Sequence, residues 1–267
     1  MPDKLLDLKI DLVFQRLFGM QKNSEITSHF LSLILGREIK KVDLDANKRM
    51  LSNRKKSKTG RLDIRVKFND GEDCNIELQV APYPYMAERM LEYWSRMYDN
   101  KINSGEGYEV LKPSISILIA NYKIEQAKGT SKYHTIWNLR EKDSHDMILT
   151  NNIEMHILEI PKIKGKETIN DELVQWLKFI ENSENKEVQR VMGENKYLKQ
   201  AKQELAYLSG EPEFQQEVED RVRMLRDIHS MKHQGKIEVA KKMKSKNMPI
   251  DEIAELTGLS KEEIEKL

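Results

Sequence analysis

The first part of the chain has apolar side chains at helical spacing. In residues 10–36 they recur at intervals of three and four, which predicts two helical segments. The second segment begins near Ser24 and Glu25, and Gly36 provides a stop. Weaker alternation of apolar and polar residues over 39–44 predicts a first strand.

Strict alternation over residues 62–80 predicts a β-hairpin, with even-numbered residues on an apolar face and odd-numbered residues on a polar face. Residues that lie opposite each other share a face, so even positions must pair with even positions. Pairing Asn69 with Asp73 meets this condition. It leaves a three-residue turn, 70–72, in which Gly71 can adopt a positive φ.

The polar face of this hairpin carries carboxylate, amide and guanidinium side chains. The pairing just described places Asp63 opposite Gln79 and Arg65 opposite Glu77. Asp63 and Glu77 then become diagonal neighbours, with Cβ atoms roughly 5–8 Å apart. Two carboxylates at this separation, together with the backbone carbonyl of Leu78, are suitable ligands for a hard divalent cation such as Mg²⁺.

A solvated sheet face explains the same pattern more simply, with Arg65 in cross-strand ion pairs to Asp63 and Glu77. The preceding segment favours a binding site. Residues 48–61 contain seven Lys or Arg and no acid, which predicts an exposed basic loop leading directly into the hairpin.

The helix predicted after the hairpin, over residues 85–103, adds further polar groups. Arg89, Tyr93 and Arg96 are spaced to share one face of that helix. A carboxylate pair, a basic loop and arginines on a neighbouring helix together favour a phosphodiester ligand.

Further strands and helices complete an α/β pattern with a mixed sheet. We predict a core over 1–165, a helical extension over 166–230, and a basic helix with a small two-helix module over 231–267. The remaining predicted strands of the core are 114–120, buried on both faces, 134–140 and 154–160.

Composition narrows the class of protein. The 267 residues carry a formal net charge of +1, which gives no indication of a polyanionic partner by itself. A single cysteine, Cys74, excludes an intrachain disulfide framework and is consistent with a reducing compartment. No window has the roughly 18 consecutive apolar residues of a membrane span, and the N-terminus lacks a signal-peptide pattern. We therefore expect a cytoplasmic protein that does not enter membranes.

The C-terminal tail predicts two short helices joined at Thr257–Gly258, with Ser260 and Glu263 at capping-box spacing. The second helix is net acidic, which argues against a DNA-recognition helix and favours protein docking or self-association. The segment 232–246 holds six lysines and one glutamate. It suits either nonspecific contact with a phosphate backbone or simple solvation.

Several segments in this order resemble the PD-(D/E)XK nuclease superfamily, and more closely its branch of recombination-promoting nucleases or putative transposases. The C-terminal tail is similar to that branch as well, so the resemblance spans nearly the whole chain. The segments are FQRLFG (14–19), LDIRVKF (62–68), NIELQV (75–80), ERMLEYWSRMY (88–98) and KPSISILIA (112–120).

The resemblance implies a restriction-endonuclease-like core that cleaves DNA with Mg²⁺, with Mn²⁺ able to substitute, and a link to recombination or mobile elements. Asp63 matches the first metal-binding acid of the family and Glu77 matches the second. Gln79 stands where the superfamily has lysine. Arg89 and Tyr93 match polar positions of the helix that follows the motif.

Two positions depart from the family pattern. Gln79 cannot supply the positive charge of a lysine, although it can orient a water molecule, and Arg65 or Arg89 could supply that charge. Gln15 replaces a lysine of the N-terminal motif. Asp11, one turn before it, is either an accessory carboxylate or a helix-start residue.

Two alternatives to a DNA endonuclease remain open at this point. One is a weakly active or inactive module that has the nuclease fold and binds nucleic acid or a partner protein. The other is an enzyme that cleaves RNA. Cutting both strands of DNA would favour a homodimer.

Overall fold

Two units make up the chain, Met1–Glu211 and Pro212–Leu267. The computed structural model describes residues 4–44, 64–99, 101–102, 104–166 and 171–267.

A mixed sheet forms the centre of the first unit, and in its described part the strand order is β1-β2-β3-β4-β6-β5. β3, β4 and β6 run parallel to one another, and the remaining neighbours pair antiparallel. This confirms the predicted α/β fold with a mixed sheet. The strands are β1 (Val42–Asp43), β2 (Ile64–Phe68), β3 (Asp73–Gln79), β4 (Ser114–Ala120), β5 (His134–Arg140) and β6 (Ile148–Glu159).

Helices flank this sheet. Gly36 ends the second of them in the left-handed conformation at φ 64°, as the sequence predicts. Asn side chains cap two later helices by accepting backbone N–H hydrogen bonds. The described α-helices of the first unit are α1 (Asp11–Phe18), α2 (Ser24–Leu35), α3 (Met86–Asp99), α4 (Glu172–Glu181), α5 (Lys186–Val191) and α6 (Lys196–Gly210).

The core of the first unit combines aliphatic strand residues with an aromatic cluster. Phe18 and Phe30 lie 5.2 Å apart between ring centroids, and each packs against Trp176 of α4. β4 is buried along its whole length, which confirms the prediction of a strand covered on both faces. β6 begins at Ile148, six residues earlier than predicted, because its exposed first half continues the pairing with β5 through a register shift.

The hairpin keeps the predicted parity but not the predicted register. Lys67 pairs with Asp73, so the turn is Asn69-Asp70-Gly71 instead of 70–72. In a three-residue hairpin turn the left-handed residue comes last. Gly71 has φ 89°, and it therefore fixes the turn one position earlier than we predicted.

The second unit consists of three helices, α7 (Pro212–Ser245), α8 (Ile250–Thr257) and α9 (Lys261–Glu265). Gly258 separates the last two at φ 66°, and Ser260 and Glu263 form the predicted capping box. Ala240, Ile253, Leu259 and Ile264 are buried together, so the end of α7 and the two short helices share one small hydrophobic core.

Candidate active site

Glu77 lies on the face of the sheet that α3 covers. It pairs with Leu118 of β4, and the side chains of these two residues therefore share a face. Met86 and Met90 of α3 pack against Leu118 in one hydrophobic cluster. Glu77 is only 5 % exposed, so a carboxylate of the predicted polar face is buried beneath a helix. A buried charge requires a partner.

Arg89 of α3 supplies that partner, because its Nη2 atom forms an ion pair with Oε1 of Glu77. The second carboxylate oxygen, Oε2, is buried and has no hydrogen-bond partner among the described residues. The same holds for Nε and Nη1 of Arg89. The cluster therefore retains an acceptor oxygen and two donor groups, and these can bind a ligand or an ion.

Gln79 belongs to the same cluster. Its Oε1 atom accepts a hydrogen bond from Arg89 Nη2 at 3.2 Å. Its Nε2 atom donates to the carbonyl oxygen of Ala81 at 2.8 Å. These two bonds fix the orientation of the amide, two residues beyond Glu77 on β3.

Two tyrosines flank the guanidinium group of Arg89. Its central carbon lies 5.1 Å from the ring centroid of Tyr83 and 5.6 Å from that of Tyr93. Both distances fit cation–π contact, which stabilises a positive charge. The structure thus brings together four of the residues that the sequence or the family resemblance suggested for the site: Glu77, Gln79, Arg89 and Tyr93.

The first proposed metal ligand, Asp63, lies outside the described residues. Ile64, the next residue, pairs with Ile76 on β3. The side chain of Leu78 is buried on the opposite face of the sheet from Glu77, because residues alternate along a strand. Only its backbone carbonyl is therefore available for the predicted role.

Arg65 does not lie opposite Glu77, as we predicted, but opposite Asn75. The shift of the register by two residues, set by Gly71, is the reason. Arg65 instead lines a cavity of about 320 Å³ at the beginning of β3, together with Lys67 and Arg96. The cavity is rich in cationic groups, and this position fits phosphate contact better than contact with Glu77.

An acidic residue, Asp73, also lines this basic cavity and forms an ion pair with a lysine. Lys101 Nζ lies 3.4 Å from the Asp73 carboxylate. Lys101 donates hydrogen bonds to the carbonyl oxygens of Lys112 and Pro113 as well. Burial lowers the pKa of Lys101, while Asp73 opposes that shift.

The N-terminal helix contributes two other positions considered from the sequence. Asp11 is the first residue of α1, and its Oδ1 atom accepts a hydrogen bond from the Leu12 amide at 2.9 Å. Gln15 is 1 % exposed, and neither polar atom of its amide has a hydrogen-bond partner among the described residues. A buried amide at this position cannot meet an exposed phosphate directly.

Tyr83 is the residue of this cluster that sequence reasoning missed. Its signal was an aromatic residue between Pro82 and Pro84, directly after the motif strand and before the helix. Cys74, in contrast, is buried in the core as predicted, and burial raises the pKa of its thiol.

Within the described ranges, no group of three or more His, Cys, Asp or Glu side chains is arranged to hold a metal ion. In that same part of the chain, no helix combines the length and the apolar character that crossing a membrane requires.

The family model for PD-(D/E)XK nuclease family transposases matches residues 8–235. The chain belongs to this family. Comparison with curated proteins and with solved structures gave no significant match. Family membership confirms the resemblance seen in the sequence and agrees with the mixed six-strand sheet. It implies a nuclease tied to mobile elements, with DNA as its partner and with the divalent metals that nucleases of this superfamily typically use.

Proposed function

We propose that this member of the PD-(D/E)XK family is a Mg²⁺-dependent DNA endonuclease that acts in recombination or on mobile elements, with Mn²⁺ able to substitute. The observation that supports this most directly is the cluster of Glu77, Gln79 and Arg89. It combines a buried carboxylate, an oriented amide and a guanidinium at the end of a strand.

The residues present suit a divalent cation. The Oε2 atom of Glu77 is a buried acceptor with no hydrogen-bond partner in the part of the chain that the structure describes, and it is the kind of oxygen that Mg²⁺ binds. Asp63 and the carbonyl of Leu78 would complete the protein ligands. When bound, the cation stabilises negative charge on the phosphate and makes water a better nucleophile.

Gln79 and Arg89 share the role that one lysine has elsewhere in the superfamily. The amide of Gln79 is held by Arg89 and by Ala81, and its remaining lone pair and N–H can orient the attacking water. Arg89 provides the positive charge next to the phosphate. Tyr93, in cation–π contact with the guanidinium, keeps it in place.

Phosphate groups further along the strand would lie in the basic cavity. Arg65, Lys67 and Arg96 line it, and guanidinium groups bind phosphate through paired N–H donors. Asp11, at the beginning of α1, would act as an accessory carboxylate.

A second candidate function is a weakly active or inactive module that uses the nuclease fold to bind nucleic acid or a partner protein. One observation favours it: Glu77 already has a cationic partner in Arg89, and a bound metal would compete with that partner.

Nicking of supercoiled plasmid by the purified full chain separates these functions. We expect nicking that requires Mg²⁺ or Mn²⁺, with more than about a 100-fold loss in Glu77→Gln and Asp63→Ala. Nicking at wild-type rate by both variants would identify a contaminating nuclease, and binding without nicking would favour the module. Single-stranded RNA added as a competitor tests the RNA hypothesis.

The same proposal covers the compartment, the C-terminal module and the functional division of the chain. The protein works in the cytoplasm, and its C-terminal module serves docking or self-association, which would supply a homodimer if both DNA strands are cut. Its functional division follows a nuclease core over 1–165, a helical extension over 166–230 and a terminal module over 231–267.

A further inference from the structure

Exposed aromatic rings stand directly beside the candidate active site. The segment between β3 and α3 contains Tyr83, which is 37 % exposed, and Tyr85, which is 65 % exposed. Pro82 and Pro84 alternate with these tyrosines and restrict the backbone, because proline fixes its own φ and limits the residue before it. The rings are therefore presented by a stiff segment.

This aromatic pair adjoins the acid. The ring centroids of Tyr83 and Tyr85 lie 6.3 Å apart at 76°, so the two faces point in different directions. The Tyr83 ring lies 5.1 Å from the guanidinium carbon of Arg89, and Arg89 is bonded to Glu77. Arg89 thus contacts both Tyr83 and Glu77.

The opposite end of the cluster is cationic. Arg96 lies seven positions after Arg89 on α3, a rise of about 10 Å along the helix. At that end Arg96 lines the cavity with Arg65 and Lys67. Exposed rings, a buried carboxylate and a basic cavity follow one another along α3 and β3, and the basic groups complement a chain of phosphates.

We infer that this site takes an unpaired DNA strand, with a base stacked on Tyr85 or Tyr83 and the neighbouring phosphates directed toward the basic cavity. Stacking on aromatic side chains combined with a cationic groove is how proteins bind single strands without sequence preference. Bases of a duplex already stack on each other and offer no free face to a ring. This inference rests on the proposed function and narrows its substrate class.

Binding in metal-free buffer tests the inference without cleavage. The full chain is titrated with a labelled single-stranded oligonucleotide, the same strand with abasic sites, and the matching duplex, followed by fluorescence anisotropy. We expect the intact single strand to bind most tightly. Tyr85→Ala and Tyr83→Ala should weaken that binding about 5- to 30-fold and leave the abasic strand unaffected.

Three further variants distinguish stacking from other contacts. Tyr85→Phe keeps the ring and should bind like wild type, whereas Tyr85→Leu is apolar but not aromatic and should behave like the alanine variant. Tyr207→Ala removes a similarly exposed tyrosine, 58 % exposed, from α6 and should change nothing. Circular dichroism and thermal unfolding check that each variant folds, and Tyr83→Leu, which also lacks an aromatic ring, replaces Tyr83→Ala if the latter does not.

Several outcomes overturn the inference. These are equal affinity for single strand and duplex, equal losses on intact and abasic strands, wild-type binding by Tyr85→Ala, and tighter binding of single-stranded RNA than of DNA. Plasmid nicking with no dependence on the tyrosines refutes the inference alone. Tyrosine-dependent binding without any nicking refutes the nuclease function alone.

Discussion

Arg89 Nη2 lies 3.2 Å from Gln79 Oε1 and also contacts the carboxylate of Glu77. One arginine on a helix thus holds two side chains that point the same way from a strand. In the wider superfamily the positive charge near the motif belongs to a lysine of the strand itself. In this protein a guanidinium group of α3 lies beside Glu77 and Gln79, which links the charge of the cluster to the packing of that helix.

Replacing Arg89 with glutamine should destabilise the protein. The substitution leaves the buried carboxylate of Glu77 without a charged partner, and removing one member of a buried ion pair costs about 3–5 kcal/mol. We expect a loss near the lower end, since glutamine still donates a hydrogen bond. Urea unfolding measures it.

The same variant tests the metal site. If Mg²⁺ binds Glu77, it should raise the melting temperature of Arg89→Gln more than that of wild type, because no guanidinium competes for the carboxylate. Arg89→Lys keeps the charge and serves as the control with a smaller loss of stability. Equal Mg²⁺ effects on all three proteins would contradict a cation site at Glu77.

Moving the charge from the helix to the strand is a second test. Gln79→Lys alone should not raise the nicking rate, because it places a second cation within reach of Arg89. Combined with Arg89→Gln it should recover much of the activity that Arg89→Gln loses, since the strand lysine then supplies the charge. The four proteins are compared in plasmid nicking. A double variant no more active than Arg89→Gln would show that Arg89 does not substitute for the lysine.

The basic cavity should contribute to DNA binding through charge alone. Arg65→Ala and Arg96→Ala each remove one cation from it, so each should weaken binding and reduce the slope of log affinity against log salt by about 0.7–0.9. Binding measured at several salt concentrations gives the slopes. Arg190→Ala, an exposed arginine of α5, is the control, and a slope unchanged in Arg65→Ala would rule out phosphate contact there.

Local sequence predicted much of this arrangement, and its limits have physical causes. Alternation placed Glu77 and Gln79 on one face of β3, and helical spacing placed Arg89 and Tyr93 on one face of α3. Both periods are local properties of the backbone. Parity alone could not choose between two registers of the hairpin, because both keep the apolar face buried. Only the left-handed conformation of Gly71 decided it.

The contact between helix and strand could not be predicted in the same way. Which arginine meets Glu77 depends on how α3 crosses the sheet, and the Met86 and Met90 side chains that pack against Leu118 determine that crossing. The sequence therefore offered Arg65 and Arg89 as equal candidates for the charge. Burial of Glu77 was also unexpected, since polar alternating faces are mostly solvated.

A chain of three hydrogen-bonded ionisable groups crosses β5 and β6 away from the cluster. His134 Nε2 lies 2.8 Å from His156 Nδ1, and His156 Nε2 lies 2.6 Å from Glu154 Oε1. Burial, with a smaller effect of His156, lowers the pKa of His134 to about 4. A hydrogen bond from His156 lowers the pKa of Glu154.

The hydrogen-bonded groups His134, His156 and Glu154 should make the stability of the protein depend on pH in a defined window. Between pH 6.5, the ordinary pKa of histidine, and pH 4, the unfolded chain binds a proton at His134 that the folded protein does not bind. The free energy of unfolding should therefore fall as the pH falls through this window. A proton bound only by the unfolded chain lowers the free energy of unfolding by at most about 1.4 kcal/mol per pH unit. Because His134 is partly exposed, we expect a smaller slope, with a total loss of about 1–2 kcal/mol over the whole window. Urea unfolding between pH 5 and pH 7 avoids the titration of Glu154. Burial also lowers the pKa of His29, so His29 adds to the pH dependence in this range and the wild type must be compared with a variant. His134→Gln keeps a hydrogen-bonding side chain that does not titrate, so its stability should fall less steeply than that of wild type over that range. A variant whose stability falls with the wild-type slope would assign the proton uptake to another group.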